Sequence, residues 1–153
     1  MTVLALDLGS RLGWAVGYGP GDVQHGVSTF RPGRHEGGGM QWVRFRTWLN
    51  EMHTEHGPID EVYFEEVRAH KGTAAAHIFG GFLATLTAWC EAKDVPYSGV
   101  PVGTIKKHAT GKGNANKQAM ISAVRAKGFF PTDDNDADAL ALLMLVMDGK
   151  AAK

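Results

Sequence analysis

Three carboxylates lie at the borders of apolar, core-forming segments of this 153-residue chain. Asp7 and Glu65 each end a short apolar run, and Asp138 immediately precedes another, residues 139–145. A carboxylate at the edge of a buried region is costly unless a positive charge compensates it. Because these acids are far apart in sequence, we interpret them as ligands of a shared cation. Oxygen ligands favour magnesium, with manganese able to substitute.

The same acids could support hydrolysis of a phosphodiester. Two divalent ions about 3.5–4 Å apart can activate a water and stabilise the leaving oxygen. Asp7 could bridge both ions because a carboxylate has two oxygens. Glu65 would complete one ion and Asp138 the other. On this hypothesis, these three residues are both metal ligands and catalytic residues of a site that holds two Mg²⁺ ions.

A fourth ligand is expected from the residues just before Asp138. Positions three or four residues earlier on a helix share its face, whereas a position two residues earlier does not. This favours Asn135 or Asp134 over Asp136. Asp134, like Asp133, could instead cap the helix, and Asp136 could be a first-turn acid stabilised by the helix dipole.

Basic residues are concentrated in one segment, although the formal net charge is zero. From residue 104 to residue 128 there is no acidic residue, while Lys106, Lys107, Lys112, Lys117, Arg125 and Lys127 are all present. The pattern indicates a surface that attracts phosphate, although a solvated helical face has the same composition. We predict that Lys117 neutralises charge developing on the phosphate.

Other cations are candidates for binding the nucleic-acid backbone. They are Lys106, Lys107, Lys112, Arg11 and Arg68. Glu66 should face away from Glu65 because strand side chains alternate. We therefore expect Glu66 to pair with Arg68 or to face the substrate, and not to bind metal.

Hydrophobic periodicity predicts five strands and five helices. The strands are expected at residues 2–8, 14–18, 24–30, 59–67 and 95–100. The helices are expected at about 40–56, from Thr73 to about 90, at 102–109, at 116–127 and from about 134 onward. Thr73 is the expected cap of the second helix.

The order of these elements predicts an α/β fold. Three hairpin strands followed by alternating helices and strands form a mixed five-stranded sheet with helices on both faces. In that order the first strand can lie centrally, with the fourth beside it in parallel. Asp7 and Glu65 would then project from neighbouring strands, close enough to hold one metal.

Composition places the chain among ordinary globular proteins. It is 44% apolar and 21% charged, and its length suits one domain over residues 1–153. No stretch is predicted to span a bilayer, and the start lacks a secretory signal pattern. The single cysteine, Cys90, excludes an internal disulfide and fits a reducing compartment. We therefore expect a cytoplasmic protein with no membrane partner.

Four segments, in order along the chain, resemble the motifs of one family. They are Leu4–Ser10 with Gly13–Ala15, Phe64–Val67, Val102–Lys107 with Asn116–Gln118, and Asp136–Leu142. The family is that of the RuvC Holliday-junction resolvases. The segments resemble its first metal-binding strand, its second acidic motif, its paired lysines and its final acidic motif, respectively.

This resemblance implies a ribonuclease-H-like fold, a homodimer and magnesium-dependent cutting of four-way DNA junctions by symmetric nicks. The apolar helix at residues 74–90 is a candidate half of the dimer surface. Family members place an acid or a histidine three positions before the last aspartate, where this chain has Asn135. The chain also ends early, as phage-borne members do, so its substrates could include other branched DNA.

Two other functions are compatible with parts of the sequence. Asn135 would suit a branched-DNA-binding protein that has lost catalysis. Asp7 to Ser10 also resembles the first phosphate loop of the actin-like superfamily, although those proteins need two such domains to enclose a nucleotide. Phe79 could stack on an opened base or serve as a core aromatic.

Overall fold

The structure is a computed structural model that describes residues 1–151, so the last two residues of the predicted domain lie outside the described part. The strands are β1 Val3–Asp7, β2 Arg11–Gly19, β3 Asp22–Thr29, β4 Glu61–Glu66 and β5 Tyr97–Pro101. The helices are α1 Met40–Glu55, α2 Thr73–Lys93, α3 Val102–Thr110, α4 Lys117–Ala126 and α5 Asp134–Met147.

The strands form one mixed sheet in the order β3-β2-β1-β4-β5. The first three pair antiparallel, whereas β1–β4 and β4–β5 pair parallel. The α/β fold class and the central position of β1 beside β4 are therefore confirmed. Both depend on apolar runs of strand length separated by turn residues, which is the strongest local signal that the sequence contains.

Side-chain alternation along the central strand separates two cores. Leu4 and Leu6 pack in the cluster that lies under α1 and α2. Val3 and Ala5 face the other cluster, which α3, α4 and α5 cover. Because β1 is buried on both faces, its sequence is continuously apolar until Asp7.

Two details of the local predictions are wrong. Thr73 does not cap α2; it is the first helical residue, and the preceding Gly72 has φ 91° and provides no side-chain cap. The first hairpin turn is also shorter than expected, because β2 already begins at Arg11. In contrast, Asn116 caps α4 by accepting a hydrogen bond from the Ala119 N–H at 2.8 Å.

Among the described residues, α2 is the one helix whose length and composition would allow it to cross a membrane. One of its sides packs on the sheet through Phe82, Leu86, Trp89 and Cys90. Core helices of globular proteins commonly pass this test, so α2 gives no more than weak evidence of a span.

Candidate metal centre

The three predicted carboxylates meet at the C-terminal ends of the central strands β1 and β4. Asp7, Glu65 and Asp138 each offer an oxygen, and these ligand atoms all lie within 4.8 Å of one another. All three side chains are partly buried. Residues separated by more than 50 positions in sequence thus form a single cluster with the size and chemistry of a divalent-cation site.

Strand geometry explains how two of these acids meet. Parallel β1 and β4 are in register, with Leu6 opposite Phe64, so Asp7 and Glu65 follow side by side. Alternation directs both side chains to the face that α5 covers. Asp138 lies in the second turn of α5, above the same strand ends.

A close contact between α5 and β2 brings Asp138 down onto the sheet. Gly13 is the register partner of Asp7. A Cβ atom built on Gly13 would lie 1.9 Å from the backbone oxygen of Asn135. The start of α5 therefore rests directly on the β2 backbone, and only glycine leaves room for it.

The electrostatics of the cluster disfavour three ionised carboxylates in the absence of a cation. Burial raises the pKa of Asp7 well above its usual range, and repulsion from Glu65, Asp138 and Asp134 adds to this effect. Burial followed by repulsion from Glu65 raises the pKa of Asp138 to about 7. Bound cations reverse such shifts because they favour the ionised carboxylates.

Without metal, we expect stability to fall as pH rises from 6 to 8. An acid whose pKa is higher in the folded chain than in the unfolded chain binds an extra proton when folded. Its favourable contribution is complete near the ordinary pKa of 3.8 and is lost as pH passes about 7. Between pH 6 and pH 8 the loss from Asp138 should be about 1.4 kcal/mol, because its average protonation over these two pH units is about one half and each unit of pKa difference is worth about 1.4 kcal/mol.

The measurement is chemical denaturation in EDTA at pH 6 and pH 8, for the wild type and Asp138→Asn. The variant corrects for histidine titration in the same range and should show a smaller pH effect. An equal effect in both proteins would contradict a raised pKa at Asp138.

The three candidates for a fourth ligand have different surroundings. Asp134 is close enough to raise the pKa values of Asp7 and Asp138, and its carboxylate lies 3.5 Å from Lys117 Nζ. Asn135 donates a long hydrogen bond of 3.4 Å to Asp133. Asp133 itself caps α5, because its side chain accepts a hydrogen bond from the Asp136 backbone N–H at 2.9 Å.

Asp136 does not sit among the clustered acids. Its side chain is fully buried and accepts hydrogen bonds from the Thr132 N–H at 2.7 Å and from His25 Nδ1 at 2.9 Å. Asp136 is a first-turn acid of α5, as predicted, and the structure adds that its carboxylate is buried and hydrogen-bonded. Sequence reasoning missed His25, because a single histidine on an edge strand carries no distinguishing signal.

The predicted cations differ in how close they lie to the cluster. Lys106 and Lys117 are close enough to lower the pKa of Asp138 and so offset part of the repulsion. Lys107 and Lys112 are exposed. Arg11 binds Asp133 at 2.7 Å, so its guanidinium already has a partner.

Arg68 and Glu66 form an ion pair, which was the first of the two expectations for Glu66. The Arg68 Nε atom lies 3.6 Å from the Glu66 carboxylate, and both side chains are exposed. Such a pair contributes little to stability, because solvent screens it.

Phe79 lines a cavity of about 380 Å³ next to the cluster. The cavity walls include Leu8, Gly9 and Ser10, which directly follow Asp7, and Val67, which follows β4. Phe79 is partly buried and packs against the core under α2. It therefore has a core role and also presents part of its ring to the cavity.

No protein-family model matches the sequence, and no curated protein matches it either. Solved structures do match the fold. Thermus thermophilus RuvC in complex with a Holliday junction substrate gives a TM-score of 0.80 at 21% identity, covering 99% of this chain and 98% of that chain. Another Thermus thermophilus RuvC structure gives 0.76 at 22% identity, again covering 99% and 98%.

A third solved structure comes from a eukaryote. The yeast mitochondrial Holliday junction resolvase Ydc2 gives a TM-score of 0.68 at 14% identity, covering 97% of this chain and 78% of that chain. Together with the sheet order, these likenesses show that the chain has the ribonuclease-H-like fold of the RuvC-type resolvases.

Proposed function

We propose that this protein is a metal-dependent endonuclease that resolves four-way DNA junctions by paired symmetric nicks, and that other branched DNA is also a substrate. The observation that carries the proposal is the convergence of Asp7, Glu65 and Asp138 within 4.8 Å. Shared fold with a RuvC that was solved on a Holliday junction supports the choice of substrate.

The residues fit a pair of magnesium ions. Their ligand atoms are all oxygens, and their mutual repulsion raises the pKa values of Asp7 and Asp138. Two such ions, when bound, would activate a water and stabilise the leaving oxygen. Asp7 is the central residue that would contact both, with Glu65 and Asp138 each contacting one.

The lysines are proposed to handle the negative charge of the DNA. Lys117 lies at the first turn of α4, next to Asp134, where its ammonium can stabilise charge developing on the scissile phosphate. Lys106, Lys107 and Lys112 would contact the backbone of the DNA, with smaller contributions from Arg11 and Arg68.

The test is incubation with a synthetic mobile four-way junction, with and without Mg²⁺, scored for nicks at symmetric positions in opposing strands. We expect paired nicks that require the metal. Binding without nicking would instead indicate the non-catalytic junction binder. Absence of binding, combined with a thermal shift caused by ATP and Mg²⁺, would indicate the actin-like alternative.

Asp134 is proposed as the fourth ligand in place of Asn135. Asp134 raises the pKa values of two cluster members, which requires proximity, whereas Asn135 is engaged with Asp133. Asp134→Asn should therefore raise the Mg²⁺ concentration for half-maximal nicking by about tenfold, and Asn135→Ala should change it by less than about threefold. The reverse order would assign the ligand to Asn135.

The protein is further proposed to act as a homodimer through α2. Its outer face carries small or polar exposed residues such as His77, Gly80, Ala84 and Ala88, and a two-fold dimer matches a two-fold junction. We expect light scattering to give the mass of two chains. Ala84→Arg should shift this to one chain, while Ser122→Arg on exposed α4 should not. A wild-type monomer at working concentration would contradict the proposal.

The proposed compartment is the bacterial cytoplasm, where a phage-borne enzyme would also act. A reducing compartment suits the buried thiol of Cys90, whose pKa burial raises to about 12, so that it stays protonated and unreactive.

A further inference from the structure

Two features outside the carboxylate cluster carry inferences that rest on the proposed function. The first is the segment that joins β3 to α1 and continues into α1. Between Phe30 and Thr47 it contains four arginines, Arg31, Arg34, Arg44 and Arg46, and a single acid, Glu36. In a chain with no net charge, this is a marked local excess of positive charge.

The one acid of this segment is used to hold the loop together. Glu36 binds Arg44 at 2.7 Å and also accepts the Gly33 N–H, while Arg44 donates to the Arg31 carbonyl oxygen at 3.2 Å. These bonds lower the pKa of Glu36. Arg31 and Arg34 are exposed and have no ion-pair partner within residues 1–151.

The loop between β3 and α1 leaves the sheet at the same end as the carboxylates. Both β1 and β3 run antiparallel to β2, so β1 and β3 end on the same side. Thr29 at the end of β3 is the register partner of Arg11, which binds Asp133 at the start of α5. The lysine-bearing α3 follows β5 at the opposite side of the sheet. The two basic segments therefore flank the cluster.

We propose that Arg31 and Arg34 bind the phosphate backbone of one arm of the DNA junction. This arm would lie on the β3 side of the carboxylate cluster. A guanidinium can bind a phosphate through two parallel hydrogen bonds, and these two have no competing carboxylate. The lysines on the α3 side would bind the backbone across the nicking site from them.

The test is junction binding in EDTA over a range of salt concentrations. Arg31→Gln/Arg34→Gln should bind more weakly than the wild type, and the slope of log K against log salt should be shallower by about 2, as expected for two lost phosphate contacts. Lys93→Gln/Lys150→Gln removes the same charge at the opposite end of the sheet and should match the wild type.

An unchanged affinity and slope in the arginine variant, with the wild type binding normally, would overturn this inference and leave the proposed function standing. Failure of the wild type to bind any junction would overturn both. Thermal denaturation of each variant checks that the loop change leaves the fold intact.

The second feature is the buried contact between the edge strand β3 and the first turn of α5. His25 is the register partner of Ala15, which packs under α5, so the His25 side chain is directed to the same face. Its Nδ1 atom lies 2.9 and 3.0 Å from the two oxygens of Asp136. Asp136 is fully buried and precedes Asp138 by two residues.

We infer that His25 is a positioning residue for Asp138. A buried carboxylate that loses a donor tends to move toward water. Here such a movement would turn the start of α5 and shift Asp138 relative to Asp7 and Glu65. His25 itself does not touch the cluster, so its effect should appear in metal affinity before it appears in DNA binding.

Two isosteric substitutions separate positioning from general packing. The amide nitrogen of Asn takes the place of Nδ1, whereas that of Gln takes the place of Nε2. His25→Gln should weaken Mn²⁺ binding measured by calorimetry by about tenfold, and His25→Asn should restore it. Junction affinity in EDTA should stay at the wild-type value in both.

Equal Mn²⁺ affinity in the wild type and both variants would overturn the inference, even if both variants melt at lower temperature, because His25 would then serve packing alone. The readout does not require nicking. A failure of the proposed nuclease function would appear separately, as wild-type protein that binds Mn²⁺ but does not cut junctions.

Discussion

Replacing Asp7 by asparagine should leave a protein that binds four-way junctions but nicks them at least ~10³ times more slowly in Mg²⁺. Asp7 is the partly buried, central member of the cluster, and it is the residue whose pKa is raised by both Glu65 and Asp138. An asparagine offers one neutral oxygen where a bridging ligand needs two charged ones. A loss of this size corresponds to about 4 kcal/mol of transition-state stabilisation.

The same substitution should stabilise the protein when metal is absent. Asp7 is held against two other carboxylates, and its raised pKa means that its charged form disfavours folding at neutral pH. A neutral amide removes that repulsion, so the melting temperature of Asp7→Asn in EDTA should exceed that of the wild type. Addition of Mg²⁺ should raise the wild type more than the variant.

A matched control separates this from a general effect of losing one negative charge. Asp22→Asn changes an exposed aspartate at the start of β3, at the far end of the sheet. It should nick and melt like the wild type. Full cleavage by Asp7→Asn, or destabilisation of it in EDTA, would mean that the three carboxylates do not act as a metal centre.

The part of this site that could be predicted from sequence is the part that local patterns encode. Apolar runs of strand length located β1 and β4, and the acid that ends each run marked the edge of the sheet. The hairpin order then allowed β1 and β4 to be neighbours, and the structure shows that they are, which brings Asp7 and Glu65 together. Helical periodicity placed Asp138 at the start of an apolar helix.

The remaining details depend on contacts between distant segments. Nothing near Asp136 in the sequence indicates that it turns inward, because its partner His25 is 111 residues away. The pairing of Arg11 with Asp133 spans a similar distance, so a predicted DNA contact proved to be engaged with the helix cap. Strand and helix periods give the face of an element, but they do not give its neighbours.

Gly13 illustrates both kinds of information. In the sequence, Gly13 falls between the strands predicted at residues 2–8 and 14–18, which suggests only a turn residue. In the structure Gly13 is a buried residue of β2, and because it has no side chain the start of α5 can pack directly on the strand. Gly17, two pleats further along the strand, lies under α5 in the same way, but there a Cβ would meet the Leu143 side chain at 3.2 Å.

Alanine substitutions at three glycines of β2 should therefore have graded effects. At Gly13 the added Cβ would lie 1.9 Å from a backbone oxygen, so α5 must move away from the sheet. We expect a loss of about 3 kcal/mol, the upper part of the range for overpacking. Gly17→Ala should cost about 1 kcal/mol because the Leu143 side chain can shift, and Gly19→Ala should cost less, because no atom lies within 4 Å.

Urea denaturation in EDTA measures these losses, and Mn²⁺ calorimetry measures their effect on the cluster. Gly13→Ala should also lose metal affinity, because the helix that must retreat carries Asp138, whereas Gly17→Ala should lose stability with a smaller loss of affinity. Equal effects at Gly13 and Gly19 would mean that α5 does not rest on β2. In that case the convergence of Asp138 with Asp7 and Glu65 would lose its structural basis.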